Sequence, residues 1–131
     1  MRSIIAFAVV LLALPAFAAQ VTPRLPLPAG VPDTFTPGKP AAGGMRYAYP
    51  HVKDRYGRYG LMDWCRDWGA ACGKPAAEAF CRQVDGGARP HAGDFGPWND
   101  AGKYAGTVII STGDPCELER CSAFTFVVCR K

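Results

Sequence analysis

The sequence predicts a small α+β domain, stapled by disulfides, in which a helical hairpin packs on a short antiparallel sheet. Three observations point there. All six cysteines, at 65, 72, 81, 116, 121 and 129, fall from residue 65 onward in a 131-residue chain. Apolar residues recur at helical spacing on both sides of Cys72-Gly73. β-branched and aromatic residues then dominate 107–112 and 123–129.

The chain opens MRSIIAFAVVLLALPAFAAQ. Arg2 precedes an apolar run from Ile4 to Leu14, Pro15 ends it, and Ala16-Phe17-Ala18 supplies small residues at the −3 and −1 positions. This is the three-part layout of a secretory signal peptide over residues 1–18. The run is well short of the about 20 residues of a spanning helix. No membrane span is expected, and the protein is expected to be secreted or periplasmic.

Residues 19–44 hold six prolines, from Pro23 to Pro40, and then Gly43-Gly44. Proline propagates neither a helix nor a central strand. Few large apolar groups are present to offset the entropy of ordering. A flexible Pro/Gly-rich arm is expected there, with the cysteine-rich globular domain at 45–131.

Within the domain, Trp64, Cys65, Trp68 and Cys72 repeat at helical spacing behind Asp63, an N-cap residue type. Gly69 weakens such a helix by about 1 kcal/mol relative to Ala, and Gly73 stops it. Pro75 suits the first turn of a second helix. Ala76, Ala77, Phe80, Cys81 and Val84 continue it on one face until Asp85-Gly86-Gly87. Residues 86–104 read as a long loop with room for one short strand. Strands follow at 107–112 and at 123–129, where Phe124, Phe126 and Val128 alternate onto one face.

An even cysteine count in a short exported chain reads as a disulfide framework. Fifteen pairings are open. In a helical hairpin Cys65 and Cys81 lie at similar distances from the turn, which suggests Cys65–Cys81, with Cys72–Cys129 and Cys116–Cys121 beside it. A zinc site would need a C-x2-C pair or nearby histidines. His51 and His91 are remote from the cysteines in sequence, so no metal or cofactor is expected. A domain this small buries a modest fraction of its surface. One closed loop of about 15 residues contributes roughly 3 kcal/mol, against about 5–15 kcal/mol for a whole domain, so the staples decide whether it folds.

The string D-W-C-x6-C-G-x-P-A-A-x2-F-C, Asp63 to Cys81, with the later C-x4-C-x2-F and a last strand ending in Cys129, resembles a group of small exported cysteine-rich proteins. That resemblance covers about 70 residues and implies a domain type without an activity. Tyr56-Gly57-Arg58 and Gly113-Asp114-Pro115-Cys116 are similar to pieces of the rhamnose/galactose-binding domain of egg lectins, where the corresponding segments lie close to the sugar. The stretch between them has no counterpart in that family, and the DPC is not followed by the family's glycine-rich turn.

No catalytic constellation is visible. Ser111 and Ser122 lack G-x-S-x-G. His51 and His91 have no evident nucleophile, although Asp94 lies near His91 in sequence. Asp94, Asn99 and Asp100 match no EF-hand, and no C-x-x-C marks a reactive thiol. Without Arg2 the 15 Lys+Arg drop to 14 against 11 Asp+Glu. That scattered, mild excess argues against nucleic acid. Arg46-Tyr47-Ala48-Tyr49 and Arg55-Tyr56-Gly57-Arg58-Tyr59-Gly60 do stand out, because Tyr and Arg each offer a flat face and a hydrogen-bonding tip. Ligand contacts are expected from Tyr56, Arg58, Tyr59 and Trp98. The expected function is a non-enzymatic binding module for a glycan or an envelope or host surface component. The alternative is an inhibitor or effector of a secreted or host protein, acting through the 116–121 loop with Glu117 and Glu119.

Overall fold

A computed structural model describes residues 24–131; the signal peptide expected over 1–18 lies outside them. Short strands dominate. β1 (Lys39–Ala41), β2 (Gly44–Ala48), β7 (His91–Trp98) and β10 (Ala123–Arg130) form one sheet in the order β1-β2-β10-β7. β3 (His51–Lys53), β4 (Tyr59–Met62), β8 (Thr107–Val108) and β9 (Pro115–Cys116) form a second in that order. β5 (Cys65–Asp67) and β6 (Ala70–Cys72) make a separate hairpin. Among the described residues there is one α-helix, α1 (Lys74–Gln83), followed by a short 3₁₀ turn at Val84–Gly87.

The expected helical hairpin is therefore overturned: the fold is mainly β. Its second helix is present as α1, with Pro75 in the first turn. Ala76 and Ala77 are fully buried and let the helix approach β7 closely. Asp85-Gly86-Gly87 ends the helix in left-handed conformations. The first helix is replaced by the β5–β6 hairpin. Asp67 pairs with Ala70, so Trp68-Gly69 is a two-residue turn, and Gly69 takes a positive φ of 64° at its second central position, the place where a type II turn favours glycine.

That change re-pairs the cysteines. Cys65 and Cys72 are direct cross-strand neighbours and bond to each other. Cys81, on the buried face of α1, bonds Cys129 of β10. The expected Cys65–Cys81 and Cys72–Cys129 bonds are thus both corrected, because β5 and β6 spend their sulfurs locally. Cys116–Cys121 closes its own short loop, and among the described residues no cysteine is free.

The core lies between α1 and the β1-β2-β10-β7 sheet. Tyr47, Phe80, Phe124, Val127, Cys81 and Cys129 form its centre. Tyr47 meets Phe80 edge to face at 5.2 Å, and Phe124 packs on Trp64 at 4.5 Å. The even alternation expected of β10 is broken by a bulge between Phe124 and Phe126 in its pairing with β7. The extra residue flips the following side chains. Val127 and Cys129 join Phe124 inside, while Phe126 turns to the solvent side and lies beneath the Arg46 guanidinium at 4.5 Å.

The expected 44/45 boundary falls within β2, and β1, its hairpin partner, lies in the arm. Upstream, the Leu25 amide donates to the Lys103 carbonyl at 3.0 Å, Arg24 pairs with Glu117, and Phe35 stacks on Tyr59 at 5.6 Å.

Asp63 is no helix cap. The residue is 6% exposed. It accepts from the Thr107 hydroxyl at 2.5 Å and the Cys65 amide at 2.9 Å, tying β4, β5 and β8 together. Burial raises its pKa above the usual carboxylate range, against the lowering effect of those two donors. A raised folded pKa means that ionising Asp63 costs the folded state stability as pH rises through that value. The difference in Tm, Asp63→Asn minus parent, is therefore expected to grow as pH rises from about 4, measured by thermal unfolding. A difference that is flat or falls with pH would contradict the assignment.

Candidate functional site

The β3–β4 hairpin projects residues 54–58 as its tip. Asp54 organises that tip. Its carboxylate accepts from the Tyr56 amide at 2.8 Å, the Arg58 amide at 2.9 Å and Arg58 Nε at 3.2 Å. The Arg58 amide, then the Tyr56 amide and the Arg58 charge, hold Asp54 below the usual carboxylate range. Gly57 closes the turn by donating to the Asp54 carbonyl at 3.0 Å.

Held this way, Tyr56 is 63% exposed with two guanidinium groups over its ring, Arg55 at 5.1 Å and Arg58 at 5.4 Å. Arg55 also donates to the Tyr56 hydroxyl at 3.0 Å. The tip is braced against the loop before β9. The Arg55 amide donates to the Gly113 carbonyl at 2.9 Å, and the Arg55 guanidinium pairs with Asp114 at 3.1 Å. Asp114 in turn accepts from Trp68 Nε1 at 3.4 Å. Trp68, at the β5–β6 turn, is 51% exposed. The result is one open surface of Tyr56, Trp68, Arg55 and Arg58 arranged by two carboxylates.

Tyr59, the first residue of β4, faces away from that tip into a cleft of about 380 Å³. Phe35, His51, Lys53, Gln83 and Asp85 line it with Tyr59. Lys53 lies over the Tyr59 ring at 5.4 Å. His51 is 3% exposed, and burial lowers its pKa, against the raising effects of the Tyr49 carbonyl and Asp33. Its Nδ1 sits 2.7 Å from the Tyr49 carbonyl. The neutral ring thus donates there and keeps Nε2 as an acceptor. Asp85 accepts from the buried Tyr47 hydroxyl; burial, then Asp85, pushes the Tyr47 phenol up to about 12.

Of the four residues expected to touch ligand, Tyr56 and Arg58 share the hairpin tip and Tyr59 sits at its base. Trp98 does not join them. It packs on Tyr49 at 5.5 Å and Tyr104 at 5.7 Å, over a small cluster of Leu61, Ala101 and Ala123. The upstream Arg46-Tyr47-Ala48-Tyr49 run is split by strand alternation: Tyr47 is core and Arg46 is on the solvent face. Trp68 was hidden from sequence reasoning by its assignment to a helix; the Trp-Gly turn was the available signal.

His91 faces Glu78 of α1 at 3.9 Å rather than pairing with Asp94. Among the described residues one group has metal-ligand proximity, Asp63 with Cys116 and Cys121. The two sulfurs are bonded to each other, so the carboxylate alone remains as a donor. Among the described residues no helix is long and apolar enough to cross a membrane. No family model matches the chain, and no curated protein or solved structure matches it.

Proposed function

We propose that the protein is an exported, non-enzymatic binding module that recognises a glycan through the β3–β4 hairpin and the adjoining Trp68. The observation that supports this reading is the open Tyr56–Trp68 surface, edged by Arg55 and Arg58 and locked by Asp54 and Asp114. Exposed aromatic faces stack on the apolar faces of sugar rings, and guanidinium groups hydrogen-bond hydroxyls and carboxylates. A pre-locked loop also avoids the entropy cost of ordering on binding. The segments similar to egg-lectin pieces, 56–58 and 113–116, adjoin each other here through Arg55, Gly113 and Asp114. Three disulfides fit an oxidising compartment.

Glycan-array screening followed by calorimetry on the best ligand tests the proposal. Tyr56→Ala/Arg58→Ala/Trp68→Ala is expected to weaken binding about tenfold or more, while Trp98→Phe leaves it unchanged. Unaltered affinity in the triple variant would place the site elsewhere.

A second reading has one observation in its favour. Leu118 is 47% exposed on the loop closed by Cys116–Cys121. The loop is seated on Gly102, where a Cβ would come within 2.2 Å of the Glu119 carbonyl oxygen. A rigid loop with a protruding apolar side chain suits insertion into a partner protein, as an inhibitor or effector does. Inhibition of a purified secreted hydrolase, lost in Leu118→Asp, would favour it over the glycan reading.

A further inference from the structure

The solvent side of the β1-β2-β10-β7 sheet carries a charge pattern that the hairpin site does not use. Residues directly opposite in an antiparallel pair share a face. Lys39 of β1 is opposite Arg46 of β2. Arg46 is opposite Val128 of β10, and Arg130 follows two residues along on the same side. Lys39, Arg46 and Arg130 are all exposed. At the end of this stripe a hollow of about 260 Å³ is lined by Lys74, Arg130, Asp94, Val128 and Gly93.

Little opposes these cations. Asp54, Asp67, Asp100, Asp114 and Glu117 are each engaged in ion pairs elsewhere. Asp63 is buried, Asp85 accepts from Tyr47, and Glu78 faces His91. Among the described residues no ion pair forms with Lys39, Arg46, Lys74 or Arg130, and Asp94 is the carboxylate that shares the hollow with them. The face is also flat. Gly96 lies opposite Phe126, and a Cβ there would come within 2.9 Å of the Phe126 ring. Ala48 flanks Phe126 on the other side, and Arg46 is stacked above it.

We propose that this face binds an anionic polysaccharide, a hydrated chain bearing carboxylate or sulfate groups. Lys39 and Arg46 are directly opposite on adjacent strands, about 5 Å apart, and Arg46 and Arg130 are diagonal neighbours, about 7–8 Å apart, a spacing that meets repeated charges along an extended polymer. Insertion into a lipid surface would need protruding apolar side chains. The large exposed ones, Leu25, Tyr56, Tyr59, Trp68 and Leu118, are not among the residues of this face. The surface is separate from the hairpin site and stands whether or not that site binds a glycan.

The test uses the secreted-form chain with its disulfides intact and two probes, polygalacturonate and heparin, with dextran as neutral control. Affinity electrophoresis at low and physiological salt reads binding. The parent is expected to be retarded by at least one anionic probe, with affinity falling as salt rises. Lys39→Gln/Arg46→Gln/Arg130→Gln is expected to lose about tenfold in affinity. Arg82→Gln/Arg89→Gln/Arg120→Gln removes the same charge elsewhere and is expected to lose less than about threefold. Equal losses in the two variants would reduce the effect to net charge and overturn the proposal. So would absence of retardation by both probes, or retention on phosphatidylglycerol vesicles or duplex DNA without binding to either. Tyr56→Ala/Arg58→Ala/Trp68→Ala keeps this face intact, so normal retardation in that variant separates this proposal from the hairpin reading.

Discussion

Cys81→Ser/Cys129→Ser is expected to lose about 4 kcal/mol of folding stability, more than any other paired replacement of bonded cysteines. The bond spans a sequence separation of 48 and joins α1 to β10 across the core, with both cysteines fully buried. Its loss frees the longest loop of the three in the unfolded chain. It also puts two hydroxyls where sulfurs were packed among apolar groups. By the same loop-entropy relation, Cys65–Cys72 and Cys116–Cys121, at separations of 7 and 5, contribute only about 2–2.5 kcal/mol each. Against the about 5–15 kcal/mol of a small domain, the first loss leaves the fold marginal at 37 °C. Urea unfolding of the three paired serine variants checks the ranking. Equal losses would mean that the core, rather than loop closure, sets stability.

Phe124→Ala is expected to cost about 3–5 kcal/mol. Phe124 is fully buried and packs on Trp64 at 4.5 Å and Phe95 at 6.0 Å. A hole there removes the contact between β10 and the stretch entering β5. Trp64 reports it directly, so its emission is expected to shift to the red in the variant. Phe126→Ala is the informative partner, because the bulge sends Phe126 to the solvent face. Its cost is expected to be less than half as large, by chemical denaturation. A strand without the bulge would put both phenylalanines on one face and make the two costs similar.

The α1 segment was legible in sequence because its signals agree: Pro75 in the first turn, Ala76, Ala77, Phe80 and Cys81 on one face, and Asp85-Gly86-Gly87 at the end. The stretch before it was not, because Trp64, Trp68 and Cys72 recur every four residues in a helix and in this hairpin alike. Strands of three residues leave too little alternation to decide, and Gly69 weakens the first assignment while the second favours it. The sequence allows no more than a short strand within 86–104, not the eight residues of β7, because Gly93, Gly96 and Pro97 lower its local preference for strand. It is an edge strand, where proline is tolerated, held by its pairing with β10. The cysteine pairing failed with the helix, since pairing is decided by tertiary neighbours. Tyr56, Arg58 and Tyr59 could be singled out because a dense Tyr/Arg run needs no knowledge of the fold, but their placement at the tip and base of one hairpin could not. Trp98 looked similar in sequence, but Tyr49 and Tyr104 hold it in a separate cluster.

Both proposed surfaces depend on the β5–β6 hairpin and the α1–β10 staple being as described. The hairpin carries Trp68 to Asp114, and the staple holds the cationic sheet in place. Proteolysis of the unreduced protein followed by mass mapping of the linked peptides tests this most directly. The expected links are Cys65 to Cys72, Cys81 to Cys129, and Cys116 to Cys121. Recovery of a Cys65–Cys81 or Cys72–Cys129 peptide, or of unlinked cysteines in the native protein, would contradict it.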